Sequence, residues 1–303
     1  MINEQAGTGI THLPEDSLVT ANTTRTHPIL PEEPAIKIRP GSSPVLSNLR
    51  EVWAHRELLY FLIWRDLKVR YKQTILGVTW VILQPLLMAL VFAVFMGRLA
   101  RVPSDGVPYA VFAYAGLLPW LFFSNSVASG SHSLVANSYV ITKIYFPRLI
   151  LPIAVVGVRL VDFLIAFSVL VGLMLYYGIH VTWSILVLPL VITQITLLAL
   201  GMSIWFSALH ARYRDVGAVL PVLLQLWMFM SPIIYPVSLV PQGWRFLYAL
   251  NPVSGIIEAF RATLFGLEFN WPSFAISAVI TLSTLLYFVY DFCRKQDGLV
   301  DVI

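Results

Sequence analysis

Along this chain, apolar and polar positions fall into long blocks. Runs of some 20 or more residues with almost no charge recur, separated by short polar segments. About 20 helical residues at ~1.5 Å rise cross the ~30 Å hydrocarbon layer of a bilayer. The blocks therefore predict membrane-spanning helices at about residues 74–96, 109–129, 149–177, 185–209, 216–235 and 272–292. The stretch Trp64–Met96 shows the pattern most sharply. Its first nine residues hold Arg65, Lys68, Arg70 and Lys72 with Asp66 as the one acid, and its last 22 hold no charge. Before it, Leu49–Tyr71 mixes arginines with Trp53, Phe61 and Trp64, as expected of an amphipathic helix lying in the headgroup layer. That helix either simply anchors the first span or also touches a partner.

The expected fold is an all-α integral membrane protein. It has six transmembrane helices, an N-terminal amphipathic interfacial helix and a re-entrant helical hairpin before the last span. The hairpin is expected because Trp244–Gly266 is too apolar for a free loop yet breaks at Asn251-Pro252 and Gly255. Such a turn is tolerated at membrane depth only when protein surrounds it. A hairpin resting on the outer surface is the alternative. Residues 1–45, rich in Thr, Pro, Glu and Ser, read as a disordered cytoplasmic tail with too little apolar surface to fold, and residues 46–303 as the transmembrane domain. No apolar run follows a basic start, so the tail does not read as a signal peptide.

Composition and charge sharpen this picture. The 303 residues are 58% hydrophobic and only 12% charged, about half the charge of a soluble domain. Placing both termini in the cytoplasm puts 15 of the 20 Lys and Arg on the inner side, three of them in the far tail. Without the tail, twelve inner cations face the four outer ones, Arg98, Arg101, Arg245 and Arg261. That asymmetry fixes orientation, because Lys and Arg near span ends stay cytoplasmic. The basic residues sit at span ends and form no groove-lining stripe, so nucleic acid is not an expected partner. The single Cys293 excludes an internal disulfide. The chain lacks a G-x-x-x-x-G-K-[S/T] phosphate loop, and its six histidines are scattered, so it is expected to catalyse nothing and to bind no metal.

Two charge pairs sit at i, i+3 spacing, where opposite charges on one helix face can meet. Arg159 and Asp162 fall inside the third span, where ionisable groups face a bundle interior or a water-filled cavity. They either line a path or neutralise each other. Glu258 and Arg261 belong near the outer mouth. Among the aromatics, Trp120, Phe123, Trp227 and Tyr235 are candidates for lining a passage, because sugar rings stack their C–H faces on aromatic rings. Membership of an interfacial aromatic belt is the alternative for each.

Several motifs in order resemble one family. They are Arg65-Asp66-Leu67-Lys68, Arg70-Tyr71-Lys72, Gly116-Leu117-Leu118-Pro119-Trp120, Lys143-Ile144-Tyr145-Phe146-Pro147-Arg148, Ala211-Arg212-Tyr213-Arg214-Asp215, Ser231-Pro232-Ile233-Ile234-Tyr235-Pro236 and Leu250-Asn251-Pro252. Together they resemble the permease subunits of polysaccharide-exporting ABC transporters, over about residues 50–292. The resemblance implies a homodimer in the bacterial inner membrane that moves a lipid-linked glycan of O-antigen, capsule or teichoic acid type. It also implies a separate ABC ATPase subunit that holds the ATP and Mg, this chain binding no cofactor. Contact with that ATPase would fall to Asn137, Tyr139, Lys143, Tyr145, Pro147 and Arg148 in the loop after the second span, and to Arg65, Asp66 and Arg70. The gate would comprise Trp244, Asn251, Pro252, Glu258 and Arg261. Rival readings are a drug or lipid efflux permease, a membrane-embedded glycosyl or lipid transferase and an ion-coupled carrier. The transferase would need acidic or His residues converging at one membrane face, and the carrier inverted repeats. The chain shows neither. The segment after the last span, DFCRKQDGLVDVI, matches the family only at Asp301-Val302-Ile303.

Overall fold

The computed structural model describes residues 45–72, 77–143, 145–180 and 182–296, apart from the side chains of residues 45–47 and 242. The expected N-terminal tail up to residue 44, residues 74–76 of the first span and the final segment lie outside the described residues. Every regular element among the described residues is helical. The elements are α1 (Val45–Ala54), α2 (Arg56–Lys72), α3 (Thr79–Phe92), α4 (Tyr109–Ser131), α5 (Ser133–Ala136), α6 (Ser138–Lys143), α7 (Ile150–Tyr176), α8 (Leu188–Arg212), α9 (Val216–Phe229), α10 (Arg245–Leu250), α11 (Pro252–Phe265) and α12 (Trp271–Lys295). A seven-residue π-helix, Ala93–Leu99, prolongs α3, and a 3-10 turn, Trp183–Val187, leads into α8.

Among the described residues five helices are long and apolar enough to cross a membrane: α3 with its extension, α4, α7, α8 with its leading turn, and α12. The span expected at 216–235 is shorter. Its helix stops at Phe229, and 14 residues at ~1.5 Å rise reach only about 21 Å, less than the ~30 Å core. The sequence explains the stop. Pro232 has no backbone N–H to give, and Ser231 before it is pushed out of the helical region. Residues 230–235 therefore turn instead of continuing upward. Pro119 lies inside α4, which runs from Tyr109 to Ser131.

Helix α4 is the centre of the bundle. It packs on α8 and α7, then on α3 and α11, and buries residues on every side. Helices α3 and α12 instead present most of their apolar surface outward, as lipid-facing helices do. The core has two parts. A large one gathers Tyr114, Phe123, Phe163, Leu198, Ile233 and Phe260. A smaller one gathers Leu62, Phe146, Leu149, Ile150, Ile204 and Phe292 at the end where α2, the start of α7 and the close of α12 meet. That end also carries the cations of α2, the α6 region, Arg212, Arg214, Arg294 and Lys295, and is here called the basic end. The opposite, hairpin end carries α10 and α11.

Candidate functional site

At the hairpin end the chain builds α11 with strong stop and start signals. Asn251 caps it, its Oδ1 accepting from the Val253 backbone N–H at 3.1 Å, and Pro252 occupies the first turn, where its missing N–H costs nothing. Eleven of its 14 residues are buried among α4, α8 and α12. Helix α11 is therefore inserted between its neighbours and does not rest on an outer surface. Helix α10 is the exposed arm, with Trp244 before it and Phe246 and Leu247 on it open to the surroundings.

Asn251 also joins two other elements. Trp227 of α9 donates its indole N–H to Asn251 Oδ1 at 3.0 Å, and Asn251 Nδ2 donates to Ser231 Oγ at 2.9 Å. Ser277 of α12 donates to the Pro252 carbonyl. Trp227 in turn meets Phe123 edge-on at 5.2 Å and Trp120 at 6.5 Å. Trp120 and Phe123, candidates for lining a passage, thus lie buried in the core and brace this hub from behind. Tyr235 shares a hydroxyl–hydroxyl hydrogen bond with Tyr248. With Trp244, Met96 and Val240 these two tyrosines line a cavity of ≈ 560 Å³ at the hairpin end.

Arg261 departs from expectation. It is 5% exposed, and its guanidinium donates to the carbonyls of Pro232 (2.8 Å), Phe112 (3.1 Å) and Ile233 while lying 3.6 Å over the Phe112 ring. Among the described residues no ion pair joins it to Glu258. An arginine this buried needs such partners, since an unpaired charge in a low-dielectric interior costs several kcal/mol. The turn after α9 supplies two of the three carbonyls, freed because the helix has ended there. Gly116 makes the approach possible, for a Cβ at that position would run into the Arg261 guanidinium and the Ile233 carbonyl. Glu258 and Arg261 both line a cavity of ≈ 880 Å³ with Asp105, Arg245, Tyr248, Glu268 and Asn270, and Glu258 accepts a long 3.4 Å hydrogen bond from Asn270 Nδ2.

At the basic end, α2 lies along α7, Ile63 seated over Gly157. Asp162 of α7 is the focus. Arg70 and Tyr71 reach it from α2, the tyrosine at 2.5 Å, and Arg159 Nη1 sits 3.4 Å from the same carboxylate. Arg159 Nη2 also donates to Ser129 Oγ of α4. The pair predicted at 159 and 162 is present, but it belongs to a larger cluster tying three helices together. Burial, then the bond to Asp162, pushes the Tyr71 phenol above its ordinary value, so it stays a donor at any physiological pH. Arg70, assigned by resemblance to an outside partner, turns inward to Asp162. Arg65 and Asp66 pair with each other at 2.8 Å on the exposed face.

The loop after α4 splits into anchors and an exposed tip. Phe146 and Pro147 are buried, and Asn137 Nδ2 bonds back to the Ser133 carbonyl at 2.8 Å. Tyr139 and Tyr145 are 70% and 83% exposed, and Lys143 lies over the Tyr139 ring at 4.0 Å. Arg148 is partly buried beside these anchors. Two groups not expected to meet also do so: the His132 and His210 rings stand 4.4 Å apart, bringing the ends of α4 and α8 together.

With this geometry in place, similarity to known proteins is decisive. The model of the family described as ABC-2 type transporter matches residues 57–265. The chain belongs to that family. The match takes in α2 from its second residue and runs to the last residue of α11, leaving α12 outside it. Among relatives, an O-antigen export system permease protein RfbA of Myxococcus xanthus is 31% identical over 219 residues, 72% of this chain and 84% of that protein. The polysialic acid transport protein KpsM of Escherichia coli is 27% identical over 255 residues, 79% of this chain and 93% of its own length. The capsule polysaccharide export inner-membrane protein CtrC of Neisseria meningitidis is 23% identical over 229 residues, 73% of this chain and 83% of that protein. All three are export or transport proteins by name.

Proposed function

We propose that this chain is the membrane-spanning, non-catalytic subunit of an ATP-driven exporter of lipid-linked polysaccharide in the bacterial inner membrane. The observation that carries the reading is the 31% identity to an O-antigen export permease over 84% of that protein's length. Two copies would enclose the passage, and two copies of a separate ATPase, holding the ATP and Mg, would sit at the basic end. The clustering of cations there supports a cytoplasmic placement of that end by the positive-inside rule. Tyr139, Lys143 and Tyr145 suit docking of the ATPase, because they project from a tip whose anchors, Phe146 and Pro147, are fixed in the core. A push on that tip is then transmitted to α7 and α4 rather than absorbed by the loop.

At the hairpin end, α10 and α11 would form the outer gate. Asn251 and Pro252 are its pivot, and Arg261 holds the fixed arm to α4 and to the turn after α9. Glu258 faces the ≈ 880 Å³ cavity, and Trp244 belongs to the exposed arm. Tyr235 is the one of the four aromatic candidates that lines an outer cavity, and so the best placed to meet a departing sugar. Disrupting the gene tests the reading. Surface polysaccharide is expected to disappear while its lipid-linked form accumulates on the inner face. Unchanged surface polysaccharide with no inner accumulation would refute it.

A further inference from the structure

Helices α2, α3, α4 and α7 frame a cavity of ≈ 770 Å³ at the basic end. Arg70, Arg159 and Asp162 line it together with Gln84 and Asn125. So do Trp80, Pro85, Leu118, Phe122, Phe163 and Ala166. Along α7 and α4 the two kinds of lining are sorted by depth, whereas on α3 Trp80 stands one turn before Gln84. On α7, Phe163 and Ala166 follow Arg159 and Asp162, about 6 Å separating Asp162 from Ala166 along the helix. On α4, which runs the other way, Leu118 lies about 16 Å from Ser129, the residue that holds Arg159. The charged groups lie where the cation-rich α2 crosses α7, at headgroup level by the logic that places such a helix. The apolar wall continues from there toward the middle of the bundle. Two guanidinium groups face one carboxylate, so the polar end is cationic.

We infer that this cavity binds the phosphate-bearing head of a single-chain lipid, with the phosphate displacing Asp162 from Arg70 and Arg159 and the first part of the chain lying against Trp80, Phe122 and Phe163. The chemistry follows from the contacts. Arginine forks match phosphate as they match carboxylate, and such charge-assisted bonds are the strong class. Asp162 holds those donors in place while no phosphate is bound, and as an internal anion it competes with any incoming one. A closed pair of this kind opens only for a ligand of the same charge. A cavity of this size admits a phosphate head and part of one chain. That the lipid is the anchor of the exported glycan rests on the exporter reading above, whereas anion binding in the cavity does not.

The test uses the full chain purified in detergent and farnesyl diphosphate as the probe, with binding read as thermal stabilisation across a concentration series. Farnesol, inorganic pyrophosphate and phosphatidylglycerol serve as comparators, and each is expected to bind at least about tenfold more weakly, because each lacks the head, the chain or the single-chain form. Arg70→Gln and Arg159→Gln are each expected to weaken binding about 10- to 100-fold, the equivalent of one or two lost charge-assisted bonds. Asp162→Asn is expected to tighten it several-fold, since the competing anion is gone. A purely structural role for the cluster would make all three variants weaker binders, so loss of binding in Asp162→Asn overturns the inference. Equal binding of pyrophosphate or phosphatidylglycerol overturns it as well. Should Arg159→Gln fail to fold, Arg70→Gln and Asp162→Asn still give opposite signs. Failure here with intact ATP-driven glycan export would remove the site and leave the exporter reading standing. Binding as described with no export would do the reverse.

Discussion

The two ends of the molecule hold arginines in different ways. At the hairpin end Arg261 is held by three backbone carbonyls and a phenyl ring. At the basic end Arg70 and Arg159 converge on one side-chain carboxylate, Asp162. Carbonyls are fixed to the backbone, and a bound anion cannot replace three of them at once, so the Arg261 site acts as a rivet. A carboxylate is an anion on a rotatable stem that another anion can displace, so the Asp162 site can exchange. The contrast places rigidity where the hairpin joins the bundle and responsiveness where α2 meets α7.

Substitutions can break this comparison. The largest effect is expected at Arg261. Arg261→Ala leaves buried carbonyls without a donor and should cost about 3–5 kcal/mol, read as loss of thermal stability in detergent. Arg261→Lys should recover less than half, because a compact ammonium cannot span three carbonyls. A cost under about 1 kcal/mol would remove the rivet from the account. Next comes Gly116→Ala, where the added methyl has no room beside the guanidinium and should cost about 1–3 kcal/mol by overpacking, measured the same way. Asp162→Ala should cost less than Arg261→Ala, about 1–2 kcal/mol, because Arg70 is a third exposed and water screens it once its partner is gone. Equal losses at Asp162 and Arg261 would erase the difference between the two ends. Replacing Tyr139, Lys143 and Tyr145 together by Ala should change stability by no more than about 0.5 kcal/mol per site while abolishing ATP-driven export.

The same contrast explains what the sequence revealed. Long uncharged blocks disclose spanning helices because the bilayer demands them, and the Arg159–Asp162 pair is legible because i, i+3 spacing on one helix is local. Glu258 and Arg261 have that spacing too, yet Arg261 turned to backbone carbonyls, which carry no residue identity and so leave no mark in a sequence. Arg70 was legible as part of a basic collar, but its partner lies 92 positions away, and only folding brings α2 onto α7. Likewise Pro232 stood in plain view within a run counted as a span. Its ability to end α9 short is masked in the sequence by the hydrophobicity on both sides.

The most direct measurement reconstitutes the purified chain in liposomes with and without its ATPase and follows a lipid-linked glycan across the bilayer. ATP-dependent movement is expected only when both proteins are present, and is expected to vanish in the Tyr139, Lys143 and Tyr145 alanine variant, which still folds. ATP turnover by this chain alone, or undiminished export by that variant, would contradict the account.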